Sequence, residues 1–98
     1  MANGDDAIRQ ELLAHGDDGK SPRHTLFYLY DGDIAGLEQA AQSNGFVTRR
    51  MTESHGLIIE KSLSVDGLGF APVSAMIEQW AEEFGADYDG WECELVRP

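Results

Sequence analysis

The spacing of apolar and polar residues predicts four strands in this chain. His24 to Tyr30 is dense in aromatic and β-branched residues, with apolar groups on both faces, which predicts a central strand. Phe46 to Glu53 is more polar and predicts an edge strand. After a short turn, Leu57 to Val65 predicts a third strand. Ala86 to Leu95 predicts the last one, in which apolar and acidic residues alternate.

Apolar residues at three-to-four-residue spacing predict two helices between these strands. The first follows Asp31-Gly32-Asp33, which breaks the strand and supplies an N-cap, and it ends at Asn44-Gly45. The second follows a connection from Asp66 to Phe70, carries Pro72 in its first turn and ends at Gly85. The two apolar stripes are Ile34, Leu37, Ala40 and Ala41, and then Val73, Met76, Ile77, Trp80, Ala81 and Phe84.

The element order predicts an α+β fold of the ferredoxin-like βαββαβ type. Such a sandwich has a four-stranded antiparallel sheet with two helices on one face. Right-handed crossovers place the first and third strands in the centre and the last strand at an edge, beside the first. A short helix from Asp5 to Ala14 precedes this core. We therefore expect a single domain, 1–98, with an N-terminal helix and acidic loop in 1–21 and the βαββαβ core in 22–98.

The charge of the chain narrows its possible partners. The net charge is −11, and no Lys or Arg falls between Ser62 and Val96, where many carboxylates lie. Such a surface repels nucleic-acid phosphates and anionic membranes, and it attracts a basic protein segment. Simple solubility is the alternative explanation. No apolar run is long enough to span a bilayer and the N-terminus is polar, so we expect a cytoplasmic protein.

The acidic and aromatic last strand is the main candidate site. Alternation predicts that Trp91 and Cys93 face the core and that Glu92 faces the other way. Two interpretations remain open: Tyr88 and Trp91 pack on the last helix, or a partly exposed aromatic ringed by acids anchors a partner. The candidate partner-binding residues, which include two acids of the N-terminal loop, are Asp87, Tyr88, Asp89, Trp91, Glu92, Glu94, Asp17 and Asp18.

The residues that commonly carry chemistry form no catalytic or metal-binding pattern. His15, His24 and His55 are scattered and lack metal-ligand spacing, and no calcium-loop rhythm is present. Cys93 lies between two acids, whose negative field disfavours a thiolate, so we expect a structural thiol. The sequence therefore predicts a non-enzymatic protein without a cofactor or metal.

Two alternatives belong to other functional classes. A small-ligand sensor on the same fold would use a pocket lined by Asp33, Tyr30 and Tyr28. An enzyme would need a pair of carboxylates within hydrogen-bond reach in a concave site.

Two motifs resemble those of the ribonuclease E inhibitor B (RraB) family. Gly85-x-Asp87-Tyr88-Asp89-Gly90-Trp91-Glu92 resembles that family's C-terminal signature. His15-Gly16-Asp17-Asp18-Gly19-Lys20-Ser21-Pro22-Arg23, followed by an aromatic strand, is similar to its N-terminal motif, and the helix exit Asn44-Gly45-Phe46 fits as well. The third strand lacks the Trp expected there. The resemblance implies a ferredoxin-like domain that binds the Arg-rich scaffold region of ribonuclease E, alters degradosome composition and reduces RNA cleavage.

Overall fold

Strands and helices follow one another in the predicted order. The computed structural model describes residues 10–17 and 19–93, with only the backbone of 67–69. Helix α1, of which residues 10–14 are described, precedes the core. The core elements are β1 (Arg23–Tyr30), α2 (Ile34–Ser43), β2 (Val47–Arg50), β3 (Gly56–Leu63), α3 (Gly67–Glu83) and β4 (Asp87–Cys93).

The four strands form one antiparallel sheet in the order β2-β3-β1-β4. This order confirms the ferredoxin-like α+β prediction, with β1 and β3 in the centre and β4 at the edge beside β1. Helix α2 packs on β2 and β3, while α3 packs on β4 and touches α2. The pairing of β4 with β1 shifts register between Tyr28 and Leu29, and this β-bulge leaves Asp89 without an opposite residue on β1.

A chain of aromatic contacts holds the sheet to the helices. Phe27 of β1 stacks on Phe70 of α3 with ring centroids 5.8 Å apart, and Phe70 lies 4.3 Å from the Trp91 ring of β4. Phe46 contacts Phe27 and Trp80 edge-on at 6.3 and 5.9 Å. Burying one large apolar side chain stabilises the fold by roughly 1.5–3 kcal/mol. The edge strand β4 is therefore fixed to the core by aromatic packing as well as by its pairing with β1.

The predicted helix caps are confirmed. Asp33 accepts a hydrogen bond of 3.0 Å from the Gly36 N–H at the start of α2. Asn44 is the C-cap of that helix, and Gly45 follows it with a φ of 83°. Gly85 follows α3 with a φ of 70°. Because glycine has no Cβ, it adopts the left-handed conformation that ends each helix with little backbone strain.

Helix α3 begins earlier than its sequence predicts. The expected connection from Asp66 to Phe70 is wrong, because the helix starts at Gly67 and contains Pro72 in its interior. The Asp66 carbonyl already accepts the Phe70 N–H at 2.9 Å. Proline has no N–H, so one carbonyl in the first turns loses its helical donor at Pro72. The low helix propensity of glycine favoured the wrong boundary, whereas tertiary packing of Phe70 overrides it.

Strand β2 is a short edge strand whose two arginines contact opposite sides of the sheet, as predicted. It ends at Arg50, earlier than the expected Glu53. The Nε of Arg49 lies 3.2 Å from Glu60 of β3, whereas Nη2 of Arg50 lies 3.2 Å from Glu38 of α2. Exposed charges on an edge strand discourage pairing with another chain.

Among the described residues, no helix combines the length and the apolar character that crossing a bilayer requires.

Candidate functional site

The N-terminal motif folds around a buried ion pair. Asp17 and Arg23 are each 2% exposed. Arg23 donates from Nη1 to Oδ2 of Asp17 at 2.6 Å and from Nη2 to Oδ1 at 2.8 Å. Its Nε donates to the Ser21 carbonyl at 2.8 Å. The hydrogen bonds with Asp17 raise the pKa of the Arg23 guanidinium, although burial opposes this effect.

The same loop is fastened to the start of α3 through Gly19. The Gly19 N–H donates to Oδ1 of Asp17 at 2.9 Å. Its carbonyl accepts the N–H groups of Val65 at 2.8 Å and Asp66 at 3.1 Å. A Cβ on Gly19 would lie 3.3 Å from the Val65 side chain, and the φ of 78° also favours glycine. Asp17 therefore lies in the interior as a structural anchor, away from the protein surface. Asp18 falls outside the described residues.

Strand β4 divides its side chains between the core and the surface. Trp91 is 5% exposed and packs on Phe70, and Cys93 is half-buried, so both face the core as the alternation predicts. Tyr88 is half-buried, with its ring 6.5 Å from that of Phe27. Exposed members of the predicted set are Asp87, Asp89 and Glu92, while Glu94 lies beyond the described residues.

Glu92 is tied to the sheet face that the helices leave uncovered. The Tyr28 hydroxyl donates a hydrogen bond to Oε1 of Glu92 across neighbouring strands. The pKa of Tyr28 is raised to about 12, first by this hydrogen bond and next by burial. Asp87 and Asp89 are different, since neither belongs to an ion pair among residues 10–17 and 19–93. They offer unneutralised charge at the edge of the sheet.

Acids of β3 and α2, toward the β2 edge of the sheet, are paired with cations. Glu60 of β3 lies 3.2 Å from Arg49 and 2.8 Å from the Nε2 of His24, and Glu38 pairs with Arg50. Helix α3 and strand β4 contain no Lys or Arg at all. The charge asymmetry of the sequence thus becomes a spatial one, with an anionic α3–β4 side.

An open groove of about 340 Å³ lies on that side, between α3 and β4. Its lining combines small apolar or aromatic side chains with three carboxylates: Ala81, Ala86 and Tyr88, with Glu78, Glu82 and Asp87. Glu78 and Glu82 are not among the candidate binding residues that the sequence predicts. The signal that could have placed them at a site is their four-residue spacing inside the cation-free stretch.

A second depression of about 360 Å³ lies at the β2–β3 turn, lined by residues 49–54 and Ile58. Neither depression is lined by Asp33, Tyr30 or Tyr28, the residues expected around a small ligand. The Asp33 carboxylate caps α2, and the Tyr28 hydroxyl is bound to Glu92.

The histidines lie apart on the surface. His15, His24 and His55 are all exposed, with His24 next to Glu60 and the His55 Nε2 3.1 Å from the Gly32 carbonyl. Within the part of the chain that the structure describes, no three His, Cys, Asp or Glu side chains are arranged to hold a metal ion.

Comparison with known protein families gives a match over nearly the full length of the chain. A family model described as Regulator of ribonuclease activity B matches residues 3–93. The matched region includes the buried Asp17–Arg23 loop and the whole of β4. A search of curated proteins finds no match.

Proposed function

This chain belongs to the Regulator of ribonuclease activity B family, and we propose that it inhibits RNA cleavage by binding a ribonuclease through its acidic α3–β4 side. Family membership supports a role in regulating RNA degradation. The finer proposal is that the bound element is a basic scaffold region of a ribonuclease E-like enzyme. No step of catalysis by the regulator itself is needed, and the proposed setting is the cytoplasm.

The observation that carries this proposal is the uncompensated charge of β4 and α3. Asp87 and Asp89 are exposed, and no cation lies in either element. A protein of net charge −11 steers basic partners toward itself and repels RNA. A scaffold segment that binds RNA must be cationic, because phosphate contacts dominate such binding. An anionic protein that occupies the segment therefore competes with RNA for it.

The charge-reversal variant Asp87→Lys/Asp89→Lys tests the proposal, because both acids are exposed and neither belongs to an ion pair among the described residues. Its matched control is Glu11→Lys/Glu53→Lys, which makes the same change in net charge at exposed positions outside α3 and β4. Binding to a basic scaffold segment of the ribonuclease would be measured by calorimetry, and RNA cleavage would be followed in parallel. We expect the β4 variant to bind about tenfold more weakly, or about 1.4 kcal/mol, and to relieve inhibition.

The control variant is expected to retain most of the affinity of the wild type. Equal losses in both variants would mean that net charge alone, and not the α3–β4 side, attracts the partner. Thermal melting of both variants shows whether they are folded. Unfolding of the β4 variant would make these acids structural, and failure of the wild type to bind the ribonuclease at all would reject the proposal.

A further inference from the structure

The groove between α3 and β4 combines an apolar floor with an acidic rim. Ala81, Ala86 and Tyr88 form the floor, of which Ala81 is buried and the other two are half-buried. Its volume of about 340 Å³ is at the low end for sites that take small molecules, roughly 300–1,000 Å³. A groove of this size accommodates side chains of a partner rather than a folded element.

The rim concentrates negative charge without internal compensation. Glu78 and Glu82 are four residues apart on α3, so their like charges lie side by side on one face. The last turn of α3 contains no basic residue, and the negative end of the helix dipole adds to the potential there. Among the described residues neither glutamate, nor Asp87 opposite them, belongs to an ion pair.

We propose that this groove receives an arginine side chain from the basic segment of the partner. The inference rests on the proposed function, since it identifies where and by which residue type that partner is held. The aliphatic stem lies on Ala81, Ala86 and Tyr88, and the guanidinium lies among the three carboxylates. Charge complementarity selects a cation, and the apolar floor selects one with a long stem.

Arginine fits this site better than lysine. Its guanidinium is planar and weakly hydrated, stacks on aromatic surfaces, and offers several N–H donors at fixed angles to carboxylates on more than one side. An ammonium ion is compact and strongly hydrated, so it loses more on leaving water for a half-apolar groove. The groove therefore discriminates between two residues of equal charge.

The test uses the intact protein and three synthetic Gly/Ser peptides that differ only in two positions, occupied by arginine, lysine or the neutral analogue citrulline. Binding is followed by NMR shifts of backbone amides and by calorimetry. We expect the arginine peptide to shift Ala81, Ala86 and Tyr88 and to bind about tenfold more tightly than the lysine peptide. The citrulline peptide is expected not to bind measurably.

Two variants separate charge from shape. Glu78→Gln/Glu82→Gln should weaken the arginine peptide about tenfold, whereas the matched control Glu11→Gln/Glu53→Gln should not. Ala86→Leu fills the groove without altering charge and should weaken binding as well. Melting curves confirm that each variant is folded before its affinity is compared.

Two results would overturn the groove. One is unchanged binding of the arginine peptide to Glu78→Gln/Glu82→Gln, and the other is a set of shifts confined to Tyr28 and Tyr30 on the uncovered sheet face. If the wild type and Glu78→Gln/Glu82→Gln capture the ribonuclease equally, arginine binding in the groove is rejected and the proposed function stands. If the arginine peptide occupies the groove but the wild type captures no ribonuclease, arginine binding in the groove is supported and the proposed function is rejected.

Discussion

Asp17 and Arg23 form two hydrogen bonds of 2.6 and 2.8 Å in the interior of the protein, where each residue is almost completely removed from water. Removing two charges from water is costly, and the attraction between them, with their hydrogen bonds, offsets that cost. Removing one partner leaves the other charge inside the fold without these two hydrogen bonds. Asp17 and Arg23 of the N-terminal motif thus have a structural role.

Replacing Asp17 by Asn is expected to lower the free energy of unfolding by about 3–5 kcal/mol, because the buried Arg23 then loses the carboxylate that binds its guanidinium at two points. Chemical denaturation monitored by tryptophan fluorescence measures the change. The matched control is Arg50→Ala, which breaks the exposed pair with Glu38. Exposed ion pairs contribute little, so its effect should be far smaller. Similar losses in both variants would show that Asp17 and Arg23 are not a special pair.

Gly32 and Gly85 have nearly the same φ but different surroundings. Substituting each by alanine therefore distinguishes backbone strain from steric contact. Gly32 has a φ of 74° and Gly85 a φ of 70°. A Cβ on Gly32 would lie 2.7 Å from the carbonyl carbon of Gly85, whereas one on Gly85 meets no atom within 4 Å. Gly85→Ala should therefore cost only the left-handed strain, about 1–2 kcal/mol, and Gly32→Ala clearly more. Equal unfolding midpoints for the two variants would refute the close approach of these segments.

Because of the hydrogen bond from Tyr28 to Glu92, we expect the free energy of unfolding to depend on pH in the alkaline range. The pKa of Tyr28 is raised from 10.0 to about 12 in the folded protein. The folded state therefore keeps a proton that the unfolded state has lost, and stability decreases with rising pH in that range. This contribution should be complete below about pH 10 and lost as the pH rises to about 12.

Ultraviolet absorbance of the phenolate, recorded against pH, checks this assignment. The wild type should show a late titration step from Tyr28, and Tyr28→Phe should remove that step. In Glu92→Gln the late step should move down toward the ordinary tyrosine range, because the main cause of the shift is gone. A late step that survives in Glu92→Gln would assign the shift to burial alone.

Added salt should weaken capture of the basic partner while the fold persists. The exposed acids Asp87 and Asp89 act through solvent, and the screening length falls from about 8 Å at physiological salt to about 3 Å at 1 M. Aromatic packing and backbone pairing with β1 hold β4 in place, and added salt screens neither of them appreciably. We expect the dissociation constant to rise at least about tenfold over this range. Affinity that is insensitive to salt would point to an apolar contact instead.

Periodicity was enough to predict most of the fold. The dense aromatic run of β1 predicted a central strand, and the spacing of Ile77, Trp80 and Ala81 predicted the buried face of α3. These are local patterns that packing obeys. The start of α3 was predicted too late, because glycine has a low helix propensity and proline usually marks a first turn. Packing of Phe70 starts the helix at Gly67, before Pro72.

The candidate site was harder to predict, because it depends on which residues meet. Asp17 looked like one more surface acid, and only folding brings the Arg23 guanidinium onto it. Trp91 was a candidate anchor for a partner, although its alternation with Glu92 already indicated the core. Glu78 and Glu82 join Asp87 only because β4 returns alongside α3, a relationship that one sequence does not display.

The bulge at Asp89 has a consequence for the behaviour of the protein at high concentration. Edge strands invite other chains to extend the sheet, which leads to aggregation. Here an unpaired acid and a Gly90 with a φ of 115° interrupt the regular hydrogen-bonding repeat halfway along β4. An incoming strand would lose its alignment at this point and meet a carboxylate there. The edge strand is consequently protected from fibril-like stacking even where the molecule is abundant.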